Sequence, residues 1–541
     1  DFAPNLFIMT WKRWVFGGLV VAYGVSLFAL TWGMQGTMNS PDESANQFFA
    51  EQFSTTGSFV VEQEFYEASF GLLHPRSMTT FAGALLPGSF LGLPVLAGSF
   101  LKVFGEGAAF FVTPIFVILG LLAWRSTVKH LFGSERLANL SVFFLAIHPG
   151  FWYYGMRVMM HNAAFLACLM IGLWFFIAKP LRLHVHWVYL DALLGGLMLG
   201  IALFFRGSEV LWVIAMAGIL LLIALFKKWI KWPFIIAAVF GIFLGLLPTL
   251  YFNAETFGDP VATGYTVTES LIEVTSGGAI EQRSLIATVL FPFGFHERVL
   301  LRNSWRYIFG LYPWISIFSL IGFVWFLTTK KDRKKNEWKM FTGAGVGISL
   351  WLVLMYASWV VHDNPDPNAI TLANSYVRYW LPIFAIGSVF AAYTINQLWA
   401  KRSYYRSMMI GLILLCAFGL SVNLIWFGID GVLETRQNLE SYQVKRDIVL
   451  DLTETDAIIV VDYADKYLFP HREVVVPLRS EHTYSHLPAL RELAPLYYYG
   501  ITLPETDLVY LQEEKLIELG LTIEPIEEVF NETLYRIDYP R

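Results

Sequence analysis

The sequence predicts an α-helical polytopic membrane protein with about 11–12 transmembrane segments, followed by a soluble α/β domain. Hydrophobic residues make up 56% of the 541 positions and charged residues only 15%, whereas about 25% of a soluble globular chain is charged. The apolar residues form long blocks, such as 233–252 and 407–428, and about 20 apolar residues let a helix cross a bilayer. We therefore expect a transmembrane domain at 1–428 and an extracytoplasmic domain at 429–541.

The predicted membrane spans are separated by two kinds of loop. The spans are expected at 14–33, 107–124, 137–155, 162–178, 187–204, 209–226, 233–252, 307–328, 340–361, 379–398 and 407–428. Short basic loops alternate with the long loops 34–78, 253–306 and 362–378. Because Lys and Arg gather on the cytosolic side, we expect a cytosolic N-terminus in a plasma or cytoplasmic membrane. The long loops and the C-terminal domain then lie outside.

The apolar block 79–104 does not fit this alternation as a simple span. A full crossing here would place the basic residues Arg125, Lys129 and Arg136 outside. The block also contains Pro87 and Pro94, which favour a broken or re-entrant segment. A simple twelfth span is the alternative.

The tail of the chain differs in charge and pattern from the rest. Residues 429–541 carry a net charge of −12 and the remainder +7, and an acidic domain does not suggest nucleic-acid binding. Strands are expected at 457–463, 473–477, 507–511, 521–530 and 533–539, and helices at 486–499 and 513–519. This alternation predicts a small α/β domain.

The first long loop carries a motif typical of a helix start, Asn39-Ser40-Pro41-Asp42-Glu43. Ser40 suits the N-cap, Pro41 suits the first helical position, and Glu43 completes a capping box. Capping explains Asp42 less specifically, since an acid in the first turn merely favours the helix dipole. Asp42 is therefore either a helix-start residue or a general base beside the membrane surface.

Several arginines are predicted at the outer ends of spans, where the positive-inside rule disfavours them. They are Arg157, Arg206 and Arg378, and His74, Arg76, His161, Arg298 and Arg302 lie on the same side. An arginine at a span end can snorkel or pair with a loop carboxylate. A set of them on one face instead favours an anion, because the guanidinium fork matches phosphate oxygens. Beside hydrocarbon, that anion would be a lipid phosphate.

Two other stretches have weaker claims to chemistry. The turn 257–260 and the residues that follow it, up to Tyr265, are more often structural than catalytic. Residues 362–366, with the sequence HDNPD, bring oxygen and imidazole ligands together without an ordered ligand spacing. No cofactor is expected, and a divalent metal is the alternative.

Four features occur in a characteristic order along the chain: the pair Asp42-Glu43, the stretch from His74-Pro75 to Phe104-Gly105, the stretch from Pro149 to Arg157, and Arg378-Tyr379-Trp380-Leu381-Pro382. In this order of features the chain resembles the GT-C superfamily of membrane glycosyltransferases. The branch that it most resembles includes protein O-mannosyltransferases and the aminoarabinose transferase of lipid A. Many members have an Asp a few residues after the position of Arg157, where this chain has His161-Asn162.

The resemblance implies that a sugar is transferred, with inversion, from a polyprenyl-phosphate donor to an acceptor protein, lipid or glycan at the outer face. Asp42 would be the general base, with Glu43 beside it. The donor phosphate would be bound by Arg157, Arg206, Arg378, Arg76 and His74, and His161, Tyr265 and Tyr379 would contact substrate. The alternatives are a polytopic lipid or sugar transporter or flippase, and a non-catalytic membrane scaffold.

Overall fold

The computed structural model describes residues 17–28, 37–179, 187–268, 291–329, 336–361, 363, 369–400 and 403–540. The chain forms two compact units that interleave along the sequence. The first unit comprises Asp1–Gly33, Phe110–Pro248 and Ala279–Glu434, and the second comprises Met34–Ala109, Thr249–Gly278 and Thr435–Arg541. The sequence predicts a linear division instead, with the first long loop assigned to the transmembrane domain.

The first unit is helical. Its helices are α1 (Gly17–Phe28), α4 (Val112–Phe132), α5 (Glu135–Ala146), α6 (Pro149–Met156), α7 (His161–Ala178), α8 (Trp187–Phe205), α9 (Val210–Phe226), α10 (Trp232–Phe257, which runs into the second unit), α11 (Glu297–Ser304), α12 (Pro313–Thr328), α13 (Asn336–Tyr356), α14 (Ser375–Tyr379), α15 (Leu381–Trp399) and α16 (Tyr404–Phe427). Within the described residues, 8 helices are long and apolar enough to cross a membrane, or up to 9 if one bent pair is counted as a span. The predicted polytopic helical class is confirmed.

Two predicted spans are interrupted in the structure. The span 307–328 is bent by 100° at the break between Gly310 and Pro313. The block 137–155 is not a continuous helix, because α5 ends at Ala146 and α6 begins at Pro149. A proline inside a helix removes a backbone hydrogen bond, whereas it is well tolerated at the first position. Pro149 therefore starts a new, short helix, and the residues that follow α6 lead to Arg157.

Glycines let α8 and α10 pack with their backbones in contact. A Cβ atom on Gly196 would lie 2.0 Å from the Ala238 carbonyl oxygen, and one on Gly241 would lie 2.1 Å from the Leu193 carbonyl oxygen. Small residues at such positions are typical of helix pairs in membranes, where close van der Waals contact drives association.

The block 79–104 is broken in the structure, as the sequence predicts. Strands β2 (Met78–Phe81) and β3 (Ala84–Pro87) form an antiparallel hairpin, and the short helix α3 (Gly92–Phe104) follows. Strand β1 (Val61–Glu62) joins β3 at the other edge. Helix α3 packs on α2 (Pro41–Thr56), where a Cβ atom on Gly98 would lie 2.5 Å from the Ala50 carbonyl oxygen.

The C-terminal part of the second unit contains a mixed sheet with the strand order β5-β4-β6-β8-β7. Its strands are β4 (Ile458–Val461), β5 (Glu473–Val475), β6 (Leu496–Ile501), β7 (Thr522–Val529) and β8 (Glu532–Asp538). Its helices are α17 (Val432–Leu452, which begins in the first unit), α18 (Asp465–Leu468), α19 (Glu481–Leu493) and α20 (Glu505–Tyr510). Strand β4 pairs in parallel with β5 and β6, whereas β8 is antiparallel to β6 and β7. The predicted α/β domain is confirmed.

Two of its predicted elements are wrong. The expected helix 486–499 ends at Leu493, and its last residues belong to β6, which is buried in the middle of the sheet. A continuous apolar run does not distinguish a buried strand from a helix. The expected strand 507–511 is instead part of α20, because Pro504 precedes the helix and two acids lie in its first turn.

Candidate active site

Asp42 lies in the first turn of α2, in the second unit. Ser40 is the N-cap of this helix, and its hydroxyl accepts a hydrogen bond from the Glu43 backbone N–H at 3.3 Å. The motif therefore starts a helix, as predicted. Asp42 is partly exposed, whereas Glu43 has only 2% of its surface exposed. Of the two neighbouring acids, Asp42 is the one that solvent reaches more readily.

Ser77 holds the carboxylate of Asp42. The Ser77 hydroxyl donates a hydrogen bond to Asp42 Oδ1 at 2.6 Å. Ser77 has a φ of +62°, a conformation that costs a non-glycine residue about 1–3 kcal/mol and persists only where the surroundings hold it. Part of that support comes from Gly88, whose backbone N–H donates to the Ser77 carbonyl at 3.0 Å. A Cβ atom on Gly88 would lie 2.8 Å from the same carbonyl group.

Arg76, immediately before Ser77, is bound to a carboxylate of the sheet domain. Its Nη2 lies 2.5 Å from Asp465 Oδ1, and its backbone N–H donates to Asp465 Oδ2 at 2.9 Å. Nη2 also donates to the Tyr463 carbonyl at 3.2 Å. The Asp465 side chain is fully buried, and 33% of the Arg76 side chain is exposed. Arg76, expected to bind donor phosphate, thus has a carboxylate partner within the protein.

His74 lies close to the same carboxylate. Burial lowers the pKa of its imidazole, and the negative charge of Asp465 and a contact with the Pro75 carbonyl oppose this shift only in part. Its Nδ1 lies 3.1 Å from the Pro75 carbonyl oxygen. The neutral ring donates from Nδ1 in that contact, because a carbonyl oxygen can only accept. A neutral imidazole brings no positive charge to a phosphate.

Tyr265, expected to contact substrate, lies in the second unit next to the hairpin. Its ring packs against Phe90 with a centroid distance of 5.2 Å, and 49% of its surface is exposed. The preceding Gly264 is required by this packing, because a Cβ atom there would lie 2.2 Å from the Pro87 carbonyl oxygen.

In the first unit, Arg206 belongs to a buried polar network between α8 and α9. Its Nη2 lies 2.7 Å from Glu209 Oε1 and 3.1 Å from the Tyr356 hydroxyl. The Tyr356 hydroxyl donates to the same Glu209 oxygen at 2.7 Å, and Trp212 Nε1 donates to the other oxygen. A buried carboxylate of this kind needs such donors to offset the loss of water. The Arg206 charge is therefore already balanced by Glu209.

Tyr379 links two of the predicted arginines. The guanidinium of Arg206 lies 4.9 Å and that of Arg378 lies 5.3 Å from the centre of the Tyr379 ring. These are cation–π distances. The ring also stacks on Tyr356 with a centroid distance of 4.6 Å. The structure thus brings together Arg206, Arg378 and Tyr379, which the sequence places 173 residues apart at most.

The turn after α6 adds Arg157 and His161 to this region. Arg157 Nη1 donates to the Tyr153 hydroxyl at 2.8 Å, and Arg157 is buried with 4% of its surface exposed. Arg378 Nη1 lies 3.1 Å from the sulfur of Met160, the N-cap residue of α7. His161 is the first residue of that helix. Arg157, His161 and Arg378 therefore belong to one neighbourhood of the first unit.

The described part of the stretch 362–366 does not form a metal site. Only Asp363 falls within the described residues, and its Oδ2 accepts a hydrogen bond from the Ser375 backbone N–H at 2.6 Å. This contact holds the start of α14, the helix that carries Arg378. Across the described ranges, no three His, Cys, Asp or Glu side chains come together in a way that could hold a metal.

Sequence reasoning missed Ser77, Asp465 and Glu209. Glu209 lies three residues after Arg206, a local spacing at which helical side chains meet. Asp465 lies 389 residues from Arg76, and no local pattern indicates such a contact. Ser77 follows Arg76 directly in the sequence, but a serine does not by itself indicate a left-handed backbone conformation.

Comparisons with known proteins support the fold assignment. No protein-family model and no curated protein matches the sequence. Among solved structures, the crystal structure of ArnT from Cupriavidus metallidurans bound to undecaprenyl phosphate matches with a TM-score of 0.54, 12% identity, and coverage of 97% of this chain and 98% of that one. The apo structure of the same ArnT matches with a TM-score of 0.52, 12% identity and the same coverage.

At 12% identity, this likeness establishes the fold. It extends over nearly the whole of both chains, so it includes both the membrane helices and the C-terminal sheet. The chain therefore has the fold of ArnT, and the fold class predicted from the sequence is confirmed.

Proposed function

We propose that this protein is a membrane glycosyltransferase that moves a sugar from a polyprenyl-phosphate donor to an acceptor hydroxyl group, with Asp42 as the general base. The observation that carries the proposal is the full-length likeness in fold to ArnT, which was crystallised with undecaprenyl phosphate. The proposal is strengthened by Asp42, a partly exposed carboxylate at a helix start whose orientation is fixed by Ser77.

The reaction needs one base and one site for the departing anion. Asp42 takes the proton of the acceptor hydroxyl, and the oxygen of that hydroxyl attacks the anomeric carbon of the donor sugar. The bond between this carbon and the phosphate oxygen breaks, and its electron pair leaves with the lipid phosphate. Attack from the face opposite to the phosphate inverts the configuration of the sugar.

The arginines of the first unit are suited to the departing phosphate. Its negative charge increases as the bond to the sugar breaks, and fixed positive groups at that position lower the barrier. Arg378 is held by Ser375, Met160 and the face of Tyr379. Arg206 is held by Glu209, and Arg157 is held by the Tyr153 hydroxyl. We therefore assign phosphate binding to these three arginines together.

The test is sugar transfer by purified protein in lipid nanodiscs. A panel of polyprenyl-phosphate sugars is offered with hydroxyl acceptors of three classes, peptide, lipid and glycan, and products are identified by mass spectrometry. We expect transfer from at least one donor, with a product of inverted anomeric configuration. Absence of transfer across the panel, together with no binding of undecaprenyl phosphate, would overturn the proposal. Movement of labelled lipid across vesicles without transfer would favour a flippase.

Asp42→Asn keeps the shape of the side chain but cannot accept the proton. Because a positioned general base contributes about 10²–10⁴ in rate, we expect the variant to lose transfer by that factor while its expression and thermal unfolding stay normal. Glu43→Gln is the matched control, since it changes the neighbouring acid, and it should retain substantial activity. A dead Glu43→Gln with an active Asp42→Asn would reverse the two roles.

A further inference from the structure

We propose that Asp465, in the C-terminal sheet domain, is a positioning residue for the base Asp42 and acts through Arg76 and Ser77. The inference rests on the proposed function, and it gives the sheet domain a part in the geometry of the active site. It also reassigns Arg76 from binding the donor phosphate to holding the loop that carries Ser77.

The first link is the contact between Asp465 and Arg76. Both oxygens of the buried carboxylate accept from Arg76 Nε at 3.1 Å, Oδ1 also accepts from Nη2 at 2.5 Å, and Oδ2 also accepts from the backbone N–H at 2.9 Å. The side-chain contacts alone would fix only the guanidinium. Because the backbone N–H is bound as well, the carboxylate fixes the main chain at the residue before Ser77.

The second link is the main chain of Ser77. It is bound on one side through Arg76 and on the other through its own carbonyl, which accepts from the Gly88 N–H at 3.0 Å. Between these two anchors the backbone takes a φ of +62°, which directs the hydroxyl to Asp42 Oδ1 at 2.6 Å. Releasing either anchor frees the backbone to return to an ordinary conformation, and the hydroxyl then turns away from Asp42.

The third link holds Asp42 from the other side. The hydroxyl of Ser44, two residues after Asp42, donates to the carbonyl of Lys466 at 3.0 Å. Lys466 Nζ donates to the Asn39 carbonyl at 3.2 Å and to the Tyr442 hydroxyl at 2.9 Å. The helix start that carries Asp42 and the turn that carries Ser77 are thus both bound to the same dipeptide, Asp465-Lys466.

The position of the base Asp42 therefore depends on Asp465 and Lys466, which lie outside its own loop. A misplacement of about 1 Å in a reacting group can reduce the rate about 100-fold. The contacts of Asp465 and Lys466 reduce the freedom of both Asp42 and its hydrogen-bond donor. Loss of these contacts should therefore lower the turnover number and leave the affinity for the lipid donor nearly unchanged.

The experiment compares four variants of the full-length protein with a matched control. Arg76→Lys keeps the charge but loses the fork, and Asp465→Asn keeps the shape but loses the charge. Ser77→Ala and Ser77→Gly both remove the hydroxyl, and glycine accepts the left-handed backbone without strain. The control is Asp538→Asn, which breaks the contact of Asp538 with Arg491 at 2.9 Å in the same sheet domain.

We expect Arg76→Lys and Asp465→Asn to lower kcat by about 10- to 100-fold, with KM for the donor within about twofold of the wild type. Ser77→Ala and Ser77→Gly should raise the pH at which activity falls on the acidic side, because the charged carboxylate loses a donor. Asp538→Asn should match the wild type in both measurements. Wild-type kcat and pH profile in Arg76→Lys and in both Ser77 variants would overturn the proposal, even if Asp465→Asn does not fold.

Hydrogen–deuterium exchange separates this inference from the proposed function. Arg76→Lys should increase exchange at residues 40–44 and 76–78, and Asp538→Asn should not. If the wild-type protein transfers no sugar but this exchange pattern is found, the function fails and the contact network stands. If sugar transfer is found and the exchange of these segments is unchanged in Arg76→Lys, the positioning role fails and the function stands.

Discussion

Each of the two units contains an arginine held by a buried carboxylate, and the two pairs differ in what they join. Arg206 and Glu209 are three residues apart and lie in the same turn between two helices. Arg76 and Asp465 are 389 residues apart and join a loop to a sheet domain. The first pair therefore stabilises a local turn, whereas the second determines where two distant segments of the chain meet.

The pairs also differ in their exposure to water. The side chains of Arg206 and Glu209 are 9% and 3% exposed, whereas those of Arg76 and Asp465 are 33% and 0% exposed. Both carboxylates are buried, so the pairs differ in whether water can replace a lost arginine: Arg206 is buried with its partner, whereas Arg76 is one-third exposed and leaves its pair open to water on one side. We therefore expect the local pair to affect stability most strongly and the distant pair to affect geometry.

The largest effect is expected from Arg206→Ala. It leaves Glu209 charged and buried, which typically destabilises a protein by about 3–5 kcal/mol. The measurement is thermal unfolding of the purified protein in detergent, supported by the yield of monodisperse protein.

The control for Arg206→Ala is the double variant Arg206→Ala with Glu209→Gln. It removes the unpaired charge, so it should recover much of the lost stability. Equal stability of the single variant and the wild type would show that the buried pair contributes little. The contrast between the two pairs would then disappear.

The next effect concerns Arg378, which stacks on the same tyrosine as Arg206 but donates to Ser375 and Met160. Losing one preorganised contact to a developing negative charge typically lowers kcat by about 10²–10³-fold. Arg378→Ala should therefore lose transfer to that extent while its thermal unfolding changes little. The matched control is Arg298→Ala, an exposed arginine of the first unit, and equal activities in the two variants would remove Arg378 from the site.

The smallest effect is a pH dependence of stability that arises at His74. Burial lowers the pKa of His74 in the folded protein, so near its ordinary value of about 6.5 the unfolded chain binds the proton more readily. Its neutral form therefore supports the fold fully above about pH 6.5, and stability declines as the pH falls below that value. Between pH 7 and 5 the unfolding temperature of the wild type should drop further than that of His74→Gln. Parallel curves would contradict the lowered pKa.

The sequence predicts the local features of the molecule well. The capping motif at Ser40 starts a helix, the block 79–104 is broken, and the tail forms an α/β domain. Each of these predictions depends on residues that are neighbours in the chain. The arginines at span ends also converge in part, because positions at the same end of several helices are brought together by helix packing.

Features that depend on distant contacts were not predictable in the same way. Residues 496–501 form a strand because they pair with strands on both sides in the middle of the sheet, although their apolar pattern also fits a helix. The interleaving of the two units, and the carboxylate that holds Arg76, depend on which surfaces the folded chain brings together. From the sequence alone, Arg76 cannot be distinguished from the other arginines predicted on the outer side.

Because the two units interleave along the chain, segments that contact each other in the second unit are synthesised at different times. The loop that carries Asp42 leaves the ribosome early, but Asp465 follows Arg76 by 389 residues. At about 5–20 residues per second this interval lasts roughly 20–80 s. During that time the loop lacks the partner that fixes Ser77. A nascent or truncated chain that lacks Asp465 would therefore leave Arg76 and Ser77 unanchored. The segment Thr435–Arg541 completes the site when it folds.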